Sequence, residues 1–219
     1  MHAFSDNPEL QRAKELRLKI YSFPEFVLEH SRQKQRIVIA GSYGKTTVTS
    51  MIMHVLEGLG RKFDYLVGAQ VPGFANAVRL SEDAPILLVE GDEYLASKED
   101  PRPKFLLYHP HIALISGISW DHINVFPTWE SYKNAFHQLM EALPKAGYLM
   151  YNEEDKVLHD MAKPYWEDQR LYLHGYDTPS YKIKEGQYEV SIGGEKRKVS
   201  VIGRHNMLNI AAAWSVCEQ

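Results

Sequence analysis

Five short apolar runs punctuate the chain, at 36–41, 63–68, 85–90, 111–118 and 147–151, and each reads as a β-strand. Several are apolar at consecutive positions, as in Ile86-Leu87-Leu88-Val89, and not at alternate ones. A strand with two apolar faces must be covered on both, which is the situation of a parallel sheet between two layers of helix. Helical periodicity fills much of the space between the runs. Val48, Met51, Ile52 and Val55 share one face of a predicted helix at 45–59, and a second helix is predicted at 129–142. A third, at 153–162, is opened by Asn152 with Glu153, Glu154 and Asp155 behind it, an acidic start that suits the positive end of a helix.

From residue 170 the pattern changes. Leu171-Tyr172-Leu173-His174-Gly175-Tyr176 is followed by the alternating segments Tyr181-Lys182-Ile183-Lys184 and Tyr188-Glu189-Val190-Ser191-Ile192. Glu185-Gly186 and Gly193-Gly194 supply turns, so this stretch reads as a small antiparallel meander. Before the first strand lie a helix-like stretch at 8–18, a short link at 19–22 and a second helix from Pro24. Residues 207–219 form an apolar helix with no stop signal, and both ends of the chain are expected to be cut from a longer enzyme.

Composition narrows the class. The 219 residues are 44% hydrophobic and 24% charged, enough for one large core or two small ones, and the formal net charge of -3 offers no electrostatic case for nucleic acid. No apolar stretch approaches the length of a membrane span, and no secretory signal pattern opens the chain. Cys217 is the single cysteine and fits a small hydrophobe near a helix end in a reducing cytoplasm.

Candidate chemistry concentrates where apolar runs end. The first run breaks into Gly41-Ser42-Tyr43-Gly44-Lys45-Thr46-Thr47 and then into a helix. Glycines allow backbone N–H groups to close around phosphate oxygens, and the helix start adds its positive end. Lys45 would neutralise the outer phosphates while the Thr46 hydroxyl holds Mg²⁺. Ile39 stands where the longer Walker loop has its first glycine, so this is the shorter Gly-x-x-Gly-Lys-Thr form. The expected fold is therefore α/β: a P-loop (Rossmann-like), mostly parallel sheet flanked by helices, with the small antiparallel meander near the C-terminal end.

Three further clusters fall at matching places. Val89-Glu90-Gly91-Asp92-Glu93-Tyr94 follows a strand, and Glu90 there is either a Mg²⁺ ligand facing the phosphate loop or part of a solvated acidic turn. Ser119-Trp120-Asp121-His122 also follows a strand and would bring an imidazole to the same rim, where a second metal ion suits phosphoryl transfer. In Gly203-Arg204-His205-Asn206-Met207-Leu208-Asn209, the amides of Asn206 and Asn209 share a helix face and could read an adenine edge, or Asn206 could simply cap the helix.

The ordered set of these four motifs resembles the Mur ligase family, the ATP-dependent enzymes that build the peptide of peptidoglycan. The resemblance implies a central ATP-binding domain at 32–219. Residues 1–31 would be the tail and linker of a preceding UDP-sugar domain, and a further domain that selects the incoming amino acid or peptide would follow Gln219. It implies acyl activation: a muramoyl carboxylate attacks the ATP γ-phosphate, and the amine of the second substrate displaces the resulting acyl phosphate. Lys45, Glu90 and His122 would be catalytic, with Thr46, Glu90 and His122 on Mg²⁺. His205, Asn206 and Asn209 would place the adenosine. Asp92-Glu93-Tyr94 and the stretch 102–108 resemble the branch that joins L-alanyl-γ-D-glutamyl-meso-diaminopimelate to UDP-N-acetylmuramate. Two departures stand out: Tyr43, where many members have histidine or asparagine, and His137, where other branches carry a carbamylated lysine, so that no carbamylation is expected. The loop 68–80, with Asn76 and Arg79, either faces the UDP-sugar or is a plain connection. A UDP-N-acetylmuramate:L-alanine ligase, a folylpolyglutamate-synthetase-like ligase, or a nucleotide-binding module without ligase chemistry, remains the alternative.

Overall fold

The computed structural model of the chain describes residues 4–98, 100–167 and 169–219. Its centre is a seven-stranded sheet built from β1 (Gln35–Ala40), β2 (Phe63–Leu66), β3 (Val78–Arg79), β4 (Ile86–Glu90), β5 (Ile112–Ile115), β6 (Gly147–Asn152) and β7 (Leu171–Tyr176). They lie in the order β3-β2-β4-β1-β5-β6-β7, and every pairing is parallel except that of β3 with β2. The apolar runs behave as their two-faced pattern demands. Val38, Ala40, Leu87, Val89, Ala113 and Ile115 enter one buried cluster, while Ile37, Ile39, Leu88, Ile112 and Leu114 enter another on the opposite face.

Helices seal both faces. On one side α3 (Lys45–Gly58) packs against α7 (Arg204–Cys217), contributing Val48, Ile52, Met53, Ala212 and Val216. On the other, α5 (Trp129–Glu141) contributes Tyr132, Phe136 and Leu139, and α6 (Lys156–Ala162) contributes Leu158. Of the two leading helices, α1 (Pro8–Glu15) buries no residue. By contrast α2 (Phe23–Glu29), held by a Ser22–Glu25 capping box, puts Val27 into the first cluster and packs on α4 (Lys104–Leu107). Strand β1 sits mid-sheet. From it the chain runs to β2 on one side, and from β5 to β6 on the other, so the carboxyl ends of β4, β1 and β5 frame a topological switch point.

Several expectations need correction. Leu171–Tyr176 is the parallel edge strand β7 of the main sheet, paired with β6 from Gly147↔Leu171 to Asn152↔Tyr176. The meander is confined to β8 (Tyr181–Lys184), β9 (Gln187–Ile192) and β10 (Glu195–Val199). One covered face gives the same alternation in both settings, so the pattern could not name the partner. Helix α6 starts at Lys156, not Glu153, because Asp155 is its cap and accepts from Val157 N and Leu158 N. Asn152 instead ends β6, donating to Ser116 O at 3.2 Å and accepting from Glu154 N at 3.0 Å. Gly203 occupies the cap position of α7, which places Asn206 inside the first turn and excludes it as the cap. The two-residue β3 and four-residue α4 are additions with too little length for any periodicity to show.

Candidate active site

The phosphate-loop segment is shaped by what its glycines touch. Gly41 adopts φ 124° and lies so close to Ser116 that an added Cβ would meet its backbone N at 2.8 Å. Gly44, at φ 76°, opens α3 without a side-chain cap and would drive a Cβ to 2.6 Å from Asn209 Oδ1. The first turn of α3 therefore presents N–H groups that no capping side chain satisfies, the arrangement that receives an anion. Beyond β5 the chain leaves the ladder to brace this loop. Ser116 N donates to Ala40 O at 2.9 Å, Ser42 N donates to Gly117 O at 2.8 Å, and Ser116 Oγ also bonds Tyr43 O. That is why the strand expected at 111–118 pairs only through Ile115.

Lys45, Glu90 and His122 converge on one cleft of roughly 610 Å³ at the carboxyl edge of the sheet. Lys45 Nζ donates to Gly41 O at 2.6 Å and meets Glu93 at 3.2 and 3.4 Å. Thr46 Oγ1 donates to Glu90 Oε1 at 2.8 Å, and the other Glu90 oxygen accepts from Gly68 N at 2.7 Å. His122 Nε2 lies 3.2 Å from Glu93 Oε1, with its ring edge-on to Tyr94 at 4.5 Å. His122 has a left-handed backbone, φ 58°, and its N–H is satisfied at 2.7 Å by Asp121 Oδ1. Such a conformation costs a non-glycine residue about 1 kcal/mol or more, and here it turns the imidazole into the cleft.

Glu93 is the site residue that single positions in the sequence did not reveal. It is 1% exposed and is held by Lys45, His122 and, at 3.4 Å, by Tyr132 Oη. Its motif was in view, but nothing in Glu90-Gly91-Asp92-Glu93 says which carboxylate meets which partner. Tyr132 links the network to the loop through Ser42 Oγ at 2.8 Å, and Ser42 in turn bonds Ser119. Burial first, with the nearby Glu93 and Asp121 charges, pushes the Tyr132 hydroxyl well above the usual phenol range, so it stays a proton donor. Lys104 pairs with Asp92 at 2.6 Å.

The remaining predicted residues divide. Tyr43 folds back over Gly117, where any Cβ would collide with its hydroxyl, and burial together with the Asp155 charge raises its pKa. Thr47 is exposed in the first turn of α3 and, beside Thr46 and Ser50, lines the groove between α3 and α7. Asn209 lies against Gly44 and donates to Asn206 Oδ1 at 3.3 Å, while Asn206 Nδ2 reaches back to Ile202 O at 2.8 Å. His205 is exposed at the start of α7. His137 faces Glu141 at 3.5 Å on α5 and does not line the cleft. In the 68–80 loop, Gly68 touches the site through Glu90, but Arg79 is committed to β2, bonded to Phe63 O and stacked on Phe63 and Tyr65.

As a donor set for a hard cation, Thr46 and Glu90 fit, since both offer oxygen and lie within contact of each other. No cluster of three His, Cys, Asp or Glu side chains stands ready for a metal among the described residues.

Residues 39–217 match the family model described as Mur ligase middle domain. The chain belongs to the Mur ligase family. The UDP-N-acetylmuramate:L-alanyl-gamma-D-glutamyl-meso-2,6-diaminoheptandioate ligase of Haemophilus influenzae is 30% identical over 214 residues, covering 94% of this chain and 47% of that one. The UDP-N-acetylmuramate:L-alanine ligase of Aquifex aeolicus is 30% identical over 222 residues, 96% of this chain and 47% of its own length. This Mur ligase chain thus spans about half the length of the curated relatives it matches. The crystal structure of the UDP-N-acetylmuramate:L-alanyl-gamma-D-glutamyl-meso-diaminopimelate ligase from Neisseria meningitides superposes with a TM-score of 0.81. It shares 24% identity and covers 99% of this chain and 71% of the other, a likeness of fold.

Proposed function

We propose that this Mur ligase chain is the ATP-binding middle of an amide-forming, ADP-releasing ligase of peptidoglycan, acting on UDP-N-acetylmuramate and an amino acid or peptide. In this reading residues 1–31 connect to a UDP-sugar domain and 32–219 form the ATP domain. The observation that carries it is the convergence of Lys45, Glu90 and His122 on one cleft beside an uncapped helix start, with the Thr46 hydroxyl bonded to Glu90.

Both first-step reactants are anions, so alignment and charge balance dominate the barrier. The uncapped N–H groups and Lys45 receive the phosphates. Mg²⁺ bound through Thr46 and Glu90 supplies further neutralisation of phosphate charge. His122, held by Glu93, faces the side where the muramoyl carboxylate oxygen attacks the γ-phosphorus as ADP leaves. The peptide amine then displaces phosphate from the acyl phosphate, losing a proton. Asn209, resting on Gly44, and Asn206 beside it position the nucleoside end, with His205 at the rim. A cytoplasmic location follows from these nucleotide substrates, and no helix among the described residues is long and apolar enough to cross a membrane.

For the second substrate, L-alanyl-γ-D-glutamyl-meso-diaminopimelate is the proposed peptide, which makes the enzyme one of peptidoglycan recycling. The support is the Asp92-Glu93-Tyr94 sequence, with Tyr94 against His122, and the relatives that carry that name. L-Alanine is the second reading, favoured by relatives of equal identity. Assaying ADP release by the full-length polypeptide with each acceptor separates them. Release that depends on UDP-N-acetylmuramate and the tripeptide is expected; release with L-alanine alone selects the second reading, and release with no acceptor overturns ligase chemistry.

A further inference from the structure

We propose that Glu93 sets the preference of this cleft between nucleoside triphosphate and diphosphate, by fixing a negative charge at the tip of Lys45 where the outermost phosphate arrives. The inference rests on the nucleotide reading above and deepens it.

The two acids of the Glu90-Gly91-Asp92-Glu93 segment do different work. Glu90 spends one oxygen on the Thr46 hydroxyl and the other on Gly68 N, at the near end of the loop. Glu93 is buried to 1% exposure, lines the same cleft, and faces the far end of the lysine. A carboxylate so buried is costly unless it is paired, and three partners pair it: Lys45 at 3.2 Å, His122 at 3.2 Å and Tyr132 at 3.4 Å. Those contacts come from α3, from the turn after β5 and from α5, so the charge is held from three sides.

A phosphate-loop lysine reaches the outer phosphates with its amine. The phosphate that meets the Lys45 amine therefore also meets Glu93. A triphosphate brings one more anionic group to this point than a diphosphate does, and it carries most of the repulsion. The acid keeps Lys45 and His122 oriented in the cleft while preventing the reacting phosphate from being bound too tightly in the ground state, which leaves binding energy for the transition state.

Calorimetric titration of this chain with ATP and with ADP, each with Mg²⁺, tests it in the wild type and in Glu93→Gln. The uncharged isostere should bind ATP about tenfold more tightly, about 1.4 kcal/mol, and ADP within about threefold of wild type. Unchanged or weaker ATP binding, or an equal gain for both nucleotides, overturns the proposal. If Glu93→Gln lacks a cooperative melt, Glu93→Ala, which leaves room for water beside Lys45 and His122, is read by the same ratio. A wild-type chain that binds neither nucleotide removes the nucleotide reading itself; wild-type binding with an unmoved ratio removes only the role of Glu93.

Discussion

Replacing Lys45 by Ala should damage stability and nucleotide binding by separable amounts. The amine is bonded to Gly41 O at 2.6 Å and paired with Glu93 at 3.2 Å, and its side chain is 19% exposed. Breaking a fully buried pair costs about 3–5 kcal/mol. Here the loss is nearer about 2 kcal/mol, because His122 and Tyr132 still hold Glu93 and water reaches the lysine. For a chain of this size that lowers Tm by about 4–8 °C. Charged hydrogen bonds of the kind Lys45 offers a phosphate contribute about 1.5–3 kcal/mol, which weakens ATP binding roughly 10- to 150-fold. The assay is thermal denaturation with and without MgATP. At ATP near 100 times the wild-type Kd, the ligand stabilises the wild type by about 2.7 kcal/mol, a rise of about 5–11 °C. If the variant's Kd is about 100-fold higher, the same ATP stabilises it by only about 0.4 kcal/mol, about 1–2 °C. A variant that keeps the full ATP-dependent rise would refute the placement of the phosphates at Lys45.

Gly41→Ala should lose nucleotide binding and about 2 kcal/mol or more of stability, since φ 124° and the Ser116 backbone at 2.8 Å leave no place for a methyl; chemical denaturation with ATP titration checks it. Lys34→Met strands Asp64, which is 0% exposed and left with Ser81 alone. The expected loss is about 3–5 kcal/mol, and Lys34→Met combined with Asp64→Leu should regain most of it in urea melts. Burial pushes the Cys217 thiol up to about 11, so alkylation by iodoacetamide at pH 8 should be far slower in the native chain than in denaturant. Because the folded pKa is raised, the stabilisation from keeping this thiol neutral is complete below about pH 9 and is lost as pH climbs through about 11. Cys217→Ala should flatten that part of the stability profile.

The parts of the site that one stretch of chain builds by itself were legible. Gly41 through Thr47 is such a stretch: a strand end, a positive-φ glycine and a helix start follow each other directly, so their geometry is local. Glu90 was legible for a related reason, because the end of an apolar run marks the carboxyl edge of a parallel sheet. Glu93 was not, and neither were Tyr132 or the Gly68 N–H that holds Glu90. Each acquires its meaning from a partner more than twenty residues away.

The sequence by itself determined the layers of this protein. Two-faced apolar strands need helices on both sides, and helical periodicity supplied them, because burial follows spacing along a single element. Tertiary structure alone decided which edge receives β7, where Arg79 is spent, and how Lys45 and His122 come to share one buried carboxylate. Those outcomes depend on strand order and on the cost of leaving a buried charge unpaired, and both are properties of elements brought together in space.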